Sequence, residues 1–403
     1  MYIAVCIVLL DMIGFAIMVP ILAYYALQLG ASPGMATVCM ALYVVGMFFA
    51  SPIWGRLSDR FGRKPILMIS LAGAVFGYIV LGYATEVWMV ALSRLFSGLM
   101  AGNLSVAQAY VADVTSNKDR AKAMGMLGAA FGISFILGPA LGGYLAGDSF
   151  EDANLQLPAM VSAALSLSAL LVVIFFLKES LPDAVESDQA APSPRELLSW
   201  VAGRRTLYLL LAAVTIYNLG AGFVESVFPI WADATNIAHG PKDLVPVLLA
   251  AGIAMVIVQG GLIGPLSRKF GERRLMRAGA VIFGISVLLV TIAGSASSVP
   301  AVAAALVGQA VGAALVLTSM QSLTSKEVEA HNRGAVMGIY NALGTLGRGG
   351  GTALTGFVFS GVGVHAPYYF GAGLMALLLL LALMLRASSY EEPVAAEVAA
   401  GNS

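Results

Sequence analysis

Charged side chains are scarce in this chain, since Asp, Glu, Lys and Arg together make up 11% of its 403 residues. An ordinary soluble domain contains about 25%. The positive and negative residues balance to a formal net charge of zero, which gives no electrostatic basis for binding nucleic acid. Hydrophobic residues instead make up 59% of the chain. This composition excludes an ordinary soluble domain and predicts a protein whose surroundings are the lipid bilayer.

Cysteine and histidine are also rare. Both cysteines, Cys6 and Cys39, lie in apolar runs, which excludes a disulfide framework and favours a packing role. The three histidines, at positions 239, 331 and 365, are too scattered to form a metal-ligand cluster. The sequence also lacks a glycine-rich phosphate loop followed by lysine. We therefore expect no metal, no cofactor, no use of ATP and no enzymatic activity.

Long apolar runs fill most of the sequence. A helix needs about twenty apolar residues to cross the roughly 30 Å hydrocarbon core of a bilayer. The first run contains Asp11 but has neither a basic stretch before it nor a small-residue cleavage site after it, so we expect a retained span rather than a signal peptide. The pattern predicts twelve spans, at 2–27, 35–55, 65–84, 87–112, 122–146, 157–177, 206–231, 244–266, 275–294, 299–321, 333–359 and 367–386.

A polar, acidic and proline-containing interval separates the sixth predicted span from the seventh. It divides the chain into two halves of six spans each. The predicted organisation is an N-terminal six-helix bundle at 1–178, a cytoplasmic linker at 179–204, a C-terminal six-helix bundle at 205–386 and a cytoplasmic tail at 387–403.

The basic residues predict the orientation of the spans. Apart from Arg94 and Arg348 inside spans, nineteen of the remaining twenty Lys and Arg residues lie on one side of the predicted membrane. The exception is Lys242. Basic loops face the cytoplasm in most membrane proteins. We therefore expect a multi-pass protein of the bacterial inner membrane with both termini in the cytoplasm.

The segment Gly55–Pro65, GRLSDRFGRKP, places five charges and two glycines between two apolar runs. A related segment, Gly264–Arg274, follows 209 residues later and keeps both glycines, the leucine, the serine and the phenylalanine. Duplicated halves joined by a linker are typical of transporters whose substrate binds between the repeats. The repeat therefore predicts a transporter.

Three motifs in the first half resemble those of one family. The segment at 55–65 resembles motif A of the major facilitator superfamily, and Leu92–Gly98 resembles motif B, whose arginine, here Arg94, is implicated in proton coupling. A third set resembles the antiporter motif of the same family, with Ser134 in place of one glycine. That set consists of Gly125, Gly138, Pro139, Gly142 and Gly143.

This resemblance implies an all-α membrane protein with the major facilitator fold, in which twelve transmembrane helices form two pseudo-symmetric six-helix bundles. It also implies a drug/proton antiporter similar to the twelve-span tetracycline and multidrug exporters. Tetracycline exporters carry an acid within the third span and another within the ninth. Here Gly77 stands in the third span and the ninth has no acid, so the resemblance does not assign tetracycline as the substrate.

The first motif predicts a gate. We expect Asp59 to lie at the positive N-terminal end of the eleventh span and Arg63 to pair with Asp113. Both contacts are expected when the cytoplasmic side is closed and absent when it opens. The alternative is that the loop charge only sets the topology. The predicted gating residues are Gly55, Asp59, Arg60, Gly62, Arg63 and Asp113.

Four ionisable residues lie within predicted spans: Asp11, Arg94, Glu225 and Arg348. Such residues cost about 2.5–3.5 kcal/mol each on insertion scales and usually face a cavity. Helical rise places Asp11 and Arg94 at similar depth, so we expect them to interact while Asp11 binds the transported proton, with a permanent ion pair as the alternative. Arg348 either binds an anionic group of the substrate or pairs with Glu225, and Glu225 is alternatively an interfacial residue.

Several uncharged residues are further candidates for lining a cavity, and each is equally consistent with hydrogen bonding between helices. They are Tyr43, Asn103, Gln108, Tyr217, Asn218, Gln259, Gln309 and Asn341. Another group is predicted to let the fifth span bend or approach a neighbour closely. This group consists of Gly138, Pro139, Gly142 and Gly143.

The sequence therefore predicts a secondary active transporter, a proton-coupled antiporter that exports a small amphipathic molecule. Its predicted partners are that molecule, protons and the lipid bilayer, and the predicted oligomeric state is a monomer. The alternatives are a proton-linked transporter of an organic anion or metal chelate, and a transport-derived receptor or assembly factor.

Overall fold

The computed structural model describes residues 2–115, 120–150, 153–180, 204–328 and 332–385, and every regular element within them is helical. A 3₁₀ turn covers Pro241–Asp243 and a π-helical turn covers Val258–Leu262. The α-helices are α1 (Tyr2–Met18), α2 (Leu22–Gln28), α3 (Pro33–Phe61), α4 (Arg63–Gly82), α5 (Val87–Met100), α6 (Asn103–Val114), α7 (Arg120–Ala146), α8 (Gln156–Phe176), α9 (Arg205–Ala234), α10 (Leu244–Ile257), α11 (Ile263–Phe270), α12 (Glu272–Ser295), α13 (Val299–Lys326), α14 (Arg333–Gly361) and α15 (Ala366–Met384).

The helices follow from the apolar sequence. A span surrounded by lipid must satisfy its backbone hydrogen bonds internally, and an α-helix does so. Local signals set some boundaries, as at the start of α3, where the Ser32 hydroxyl accepts a 3.3 Å hydrogen bond from the backbone N–H of Met35 and Pro33 occupies the first turn.

The predicted count of twelve spans is not reproduced in full. Among the described residues, ten helical stretches are long and apolar enough to cross a membrane, and an eleventh span forms if α1 and α2 count as one. The predicted span at 333–359 is helical throughout α14 but is not among these stretches. Its many glycines, together with Asn341 and Arg348, make it less apolar than the other spans.

Three predicted spans are interrupted rather than continuous. The first bends by 41° between α1 and α2, next to Pro20, which lacks a backbone N–H. The fourth breaks between α5 and α6, where Gly102 lies against the Trp54 side chain. The eighth contains the π-helical turn, within which Gly260 and Gly261 lie. Sequence periodicity gives no sign of these breaks, because the apolar run continues through each of them.

The helices pack mainly within two groups. In the first group, α1 packs against α7 and α8, and α4 packs against α5 and α8. In the second, α9 packs against α14 and α15, and α12 packs against α13 and α15. The main contacts between the groups are α3 with α14 and α7 with α10. The predicted linker and tail fall largely at 181–203 and 386–403, outside the described residues, so the predicted domain boundaries stay a prediction.

The two groups meet at the end of the bundle opposite the basic loops, which we call the closed end. The Tyr24 hydroxyl donates to the Pro229 carbonyl, and the backbone N–H of Phe150 donates to the His239 carbonyl at 3.3 Å. Between α3 and α14, the backbone N–H of Gly356 donates to the Thr37 hydroxyl at 3.2 Å. These contacts join the first half of the chain to the second.

Lys242, the one basic loop residue predicted on the side opposite the basic loops, also lies at the closed end. Its ammonium group is 2.9 Å from the Asp148 carboxylate, and its backbone N–H donates to the Gly147 carbonyl at 3.3 Å. The loop after α7 is therefore tied to the loop after α9. Lys242, the exception to the distribution of basic residues, therefore helps to join the two halves.

The opposite end, which carries the basic loops and which we call the basic end, is open between the halves. A Cβ atom added at Gly125 or Gly128 of α7 would have no atom within 4 Å, and the same holds at Gly264 of α11 and Gly338 of α14. Of these helices, α7 and α14 are ones that touch the other half at the closed end. The space between the halves therefore opens toward the basic end.

Candidate functional site

Arg63, at the start of α4, is the centre of a hydrogen-bond network at the basic end. Its guanidinium group is buried and bonds the Asp113 carboxylate at 2.9 Å, the Ser58 hydroxyl at 2.7 Å and the Asp59 carboxylate at 2.5 Å. Gly62 adopts φ +97°, which favours glycine, and turns the chain sharply between α3 and α4. This turn brings the end of α3, the start of α4 and the end of α6 together.

The Arg63–Asp113 pair was predicted correctly, but the predicted link between this pair and the closed state does not fit the structure. The pair is present while the basic end is open, because both residues belong to the first half and move together. Asp59 is different, because its side chain is 63% exposed. Asp59 is therefore the member of the motif that remains available to a partner from the other half.

Glu179, predicted to begin the linker, belongs to the same network. Its carboxylate accepts hydrogen bonds from the backbone N–H groups of Arg63 at 2.9 Å and Lys64 at 3.0 Å. An acid at a helix N-terminus satisfies donors that have no partner within the helix. The Lys64 ammonium group in turn donates to the Ile174 carbonyl of α8 at 2.9 Å. Sequence reasoning missed Glu179 because 115 residues separate it from Lys64.

The second copy of the motif repeats the turn but reverses the charges. Gly271, 209 residues after Gly62, also has positive φ, at +77°. Glu272 stands at the position equivalent to Arg63, and its carboxylate accepts from the Lys326 ammonium at 2.6 Å and from the Ser322 hydroxyl at 2.8 Å. In the second copy an acid, Glu272, thus binds a cation on α13. In the first copy a cation, Arg63, binds an acid on α6.

Asp11 lies in the interior of the first half and is 4% exposed. Its carboxylate accepts hydrogen bonds from the Ser166 hydroxyl of α8, at 2.9 Å, and from the Asn103 side-chain amide of α6. No basic side chain among the described residues forms an ion pair with it. Ser166 is a functional candidate that sequence reasoning missed, since serine is common in membrane helices.

Arg94 lies on α5 and is 2% exposed. Its guanidinium carbon is 5.5 Å from the ring centroid of Tyr43 on α3 and 5.7 Å from that of Tyr78 on α4. Its Nε and one Nη atom have no hydrogen-bond partner among the described residues. The aromatic faces therefore provide most of the attraction that this buried cation receives.

The predicted contact between Asp11 and Arg94 is not present in this conformation. The two side chains bind different partners, since Asp11 accepts from Asn103 and Ser166 whereas Arg94 lies against Tyr43 and Tyr78. A permanent ion pair is therefore also absent here. Helical rise predicts that both groups lie at similar depth, but it contains no information on which way each side chain turns.

Glu225 and Arg348 form an ion pair between α9 and α14. Each side chain is 40% exposed. Arg348 lies about 22 Å along α14 from Arg333 and about 20 Å from Gly361, which places it near the middle of the membrane. Of the two roles considered for Arg348, pairing with Glu225 is the one observed.

The other uncharged candidates divide into three sets. Asn103 binds Asp11, while the Asn218 amide donates to the Val214 carbonyl of its own helix at 2.9 Å. Gln309 is buried, with its side-chain carbonyl oxygen unpaired among the described residues, and Tyr217 is buried against Phe283. The exposed candidates are Gln108, Gln259 and Asn341.

The glycines of the antiporter-like motif lie at close contacts of α7. A Cβ atom at Gly138 would meet Ala16 of α1, and one at Gly142 would meet the Ile17 carbonyl. Gly143 instead faces the other half, where an added Cβ would lie 2.6 Å from the Pro241 carbonyl oxygen. Pro139 lies inside α7 without ending it. The motif therefore supports close packing, both within the first half and across the closed end.

The described residues contain no group of three or more His, Cys, Asp or Glu side chains that is arranged to hold a metal ion. A polar pocket of about 470 Å³ lies between the basic ends of α13 and α14, lined by Gln321, Ser322 and Lys326 among others.

Comparison with known proteins identifies the family. A sequence model of the Major Facilitator Superfamily matches residues 4–271 and 260–401. The chain belongs to this superfamily. It is therefore a transporter of small molecules rather than an enzyme, as the motifs predicted.

Individual relatives cover nearly the whole chain. The class D tetracycline resistance protein of Salmonella ordonez is 30% identical over 402 residues, which are 98% of each chain. Multidrug resistance protein 2 of Bacillus subtilis is 26% identical over 369 residues, or 90% of this chain and 89% of the relative. Among solved structures, the nucleoside transporter NupG matches with a TM-score of 0.79 at 13% identity, over 96% of this chain and 99% of that one. The structural match supports the fold alone.

Proposed function

We propose that this superfamily member is a proton-coupled antiporter that exports a small amphipathic molecule. The observation that carries the proposal is Asp11, a buried carboxyl group on a transmembrane helix without a basic partner among the described residues. A carboxyl group in a low-dielectric interior holds a proton more readily than one in water. Asn103 and Ser166 hold the group in place by hydrogen bonds that a carboxylate and a carboxylic acid both accept.

The arrangement of the halves supports alternating access. The halves touch at the closed end and separate at the basic end. Because basic loops face the cytoplasm, we place the basic end there, and the structure then corresponds to the inward-open state. Asp11 belongs to α1, which packs against α7, the helix whose Gly143 contacts the other half. A change at the closed end therefore reaches the helix that carries the proton-binding group.

Transport in inverted membrane vesicles tests the proposal. Acid-loaded vesicles that contain the wild-type protein are expected to release protons when an exported compound is added, with tetracycline and ethidium as the first probes. Asp11→Asn is expected to abolish this proton release, because an amide cannot take up the proton. Glu86→Gln changes an exposed acid before α5 in the same way, from acid to amide, and is the matched control that is expected to retain proton release. Full proton-coupled transport by Asp11→Asn would refute the role of Asp11.

A further inference from the structure

We propose, on the basis of the transport function proposed above, that Glu225 and Arg348 together bind a zwitterionic group of the substrate. The substrate class is an amphipathic molecule that carries a cationic and an anionic group close together. Glu225 binds the cationic group and Arg348 binds the anionic group. In the observed pair, the Arg348 guanidinium group occupies the place of the substrate's cationic group, and the Glu225 carboxylate occupies the place of its anionic group.

The position of Glu225 on α9 supports this role. From Gly220 to Ala232 every residue is buried except Glu225. This stretch of α9 is therefore surrounded by protein and exposes one side chain, which is an acid. Its exposure is to the space between the halves, since its partner Arg348 lies on α14, a helix that packs against α3 of the other half.

The face of α14 that carries Arg348 points into the same space. Asn341, Thr345, Arg348 and Thr352 recur at intervals of three and four residues and so share one face of the helix. The large exposed apolar side chains of α14 lie on the opposite face and are suited to lipid. These are Leu346, Leu354 and Phe357. The polar face is thus the interior one.

Among the described residues, Glu225 and Arg348 are the charged side chains within spans that are accessible from the space between the halves. The other two ionisable residues of the spans, Asp11 and Arg94, are 4% and 2% exposed and lie within the first half. The remaining ion pairs lie at the two ends of the bundle. A substrate in the central space therefore meets one acid and one base, side by side.

Charge balance then selects the substrate. An anion that took Arg348 away from Glu225 would leave a carboxylate unpaired beside the bound substrate, and a cation would leave the guanidinium group unpaired. Once the substrate covers the pair and excludes water, breaking the pair from one side is costly. A zwitterion replaces one ion pair by two, so neither protein charge loses its partner. The same reasoning disfavours a simple organic anion as the substrate, because Arg94 is out of reach and Arg348 is neutralised.

Binding of three matched fluorescent probes tests the proposal on the full-length protein in lipid nanodiscs. Nε-dansyl-lysine is a zwitterion, its methyl ester is a cation and its Nα-acetyl derivative is an anion, while the apolar dansyl group is common to all three. We expect the zwitterion to bind about tenfold more tightly than either singly charged probe, since it makes one more charge-assisted hydrogen bond. Equal affinities, or no saturable binding of the zwitterion, would overturn the proposal.

Substitutions at Glu225 and Arg348 test which charged group of the probe each residue binds. Glu225→Gln is expected to remove the preference for the zwitterion over the anion, and Arg348→Gln the preference for the zwitterion over the cation. Glu272→Gln changes an acid of another ion pair at the basic end, and is expected to leave all three affinities unchanged.

The double variant Glu225→Arg with Arg348→Glu restores a pair of opposite polarity and is expected to recover the zwitterion preference. This double variant keeps the test decisive if a single variant folds poorly. Failure of the double variant to recover the preference, when it folds as wild type, would count against the site.

The two proposals fail separately. A protein that prefers the zwitterion but shows no proton-linked flux would remove the antiport proposal and leave the binding site. Proton-linked flux of other compounds, together with equal binding of the three probes, would remove the binding site and leave the antiport proposal.

Discussion

Arg94 shows how a single buried cation is held without an acid beside it. Its guanidinium group lies near two aromatic rings, those of Tyr43 and Tyr78, on two different helices. A desolvated cation–π contact contributes about 2 kcal/mol, which is comparable with a buried hydrogen bond to a charged group. The arginine therefore joins α3, α4 and α5 through the faces of rings rather than through an ion pair.

This arrangement gives a prediction at the residue scale. Tyr78→Leu is expected to lower the free energy of unfolding by about 2 kcal/mol or more, because it removes one ring face from the guanidinium group. Tyr78→Phe keeps the ring and is expected to cost less than about 1 kcal/mol. Chemical denaturation in mixed detergent micelles measures both. An equal loss for the two variants would show that the hydroxyl group, rather than the ring face, provides the stabilisation.

The sequence predicted these residues unevenly. Charge identified Asp11, Arg94, Glu225 and Arg348 as the ionisable residues within spans, because a charge inside an apolar run is conspicuous. The partners were harder to predict. Ser166 has no such signal, and the separation of Asp11 from Arg94 depends on side-chain direction, which helical rise does not give.

At the scale of the element, glycines determine where helices approach closely enough to bring these residues together. Gly46 of α3 and Gly98 of α5 face one another's backbones, and a Cβ atom at Gly46 would lie 2.6 Å from the Leu95 carbonyl oxygen. Tyr43 lies three residues before Gly46, and Arg94 lies four residues before Gly98. The close crossing therefore places the guanidinium group against the Tyr43 ring.

A substitution at this crossing is expected to separate the helices. Gly46→Ala is expected to cost about 1–3 kcal/mol of stability, since the added methyl group has backbone atoms in its way. It is also expected to weaken proton-coupled transport by moving Arg94 away from Tyr43. Gly338→Ala in α14 is the control, because a Cβ atom there has nothing within 4 Å, and it is expected to be neutral or stabilising. Thermal unfolding and vesicle transport measure the two effects, and equal behaviour of the variants would contradict the close-contact account.

The two copies of the duplicated motif share a turn between helices but differ in the signs of their charges. Both copies keep a glycine with positive φ between two helices, Gly62 and Gly271, because the sharp turn requires it. The charges are exchanged, since Arg63 binds Asp113 whereas Glu272 binds Lys326. Arg268 stands at the position equivalent to Asp59, so the second copy lacks that acid. The structure shows that the contact survives with opposite polarity.

At the scale of the whole molecule, a few hydrogen bonds hold the closed end together. The Tyr24 and Thr37 hydroxyl groups each bond a backbone group of the other half, at Pro229 and Gly356. A typical hydrogen bond contributes about 0.5–1.5 kcal/mol net, which changes the ratio of two states by roughly 2- to 12-fold. Small changes at this end therefore shift the balance between inward-open and outward-open states.

The double variant Tyr24→Phe with Thr37→Val is expected to populate states in which the closed end has opened. Spin labels at Ala31 and Val362, in a background where Cys6 and Cys39 are replaced, report the distance across this end by pulsed electron paramagnetic resonance. We expect a longer distance to gain population in the double variant. Asp148→Asn, which removes the partner of Lys242, is expected to have a smaller effect because solvent screens that exposed pair. A larger effect from Asp148→Asn than from the double variant would show that the ion pair dominates closure.

The sequence by itself determined the class, the family and the side on which the basic loops lie, because apolar length, positive charge and a repeated loop motif are properties of the chain in order. It also marked the charged residues that matter, since their cost in a membrane makes them stand out. Only the tertiary structure decided that Asp11 binds Asn103 and Ser166, that Arg94 lies against tyrosine rings, and that Arg348 faces Glu225 across 123 residues. The reason is physical: helix periodicity fixes which residues share a face, while the rotation and crossing of the packed helices decide which faces meet.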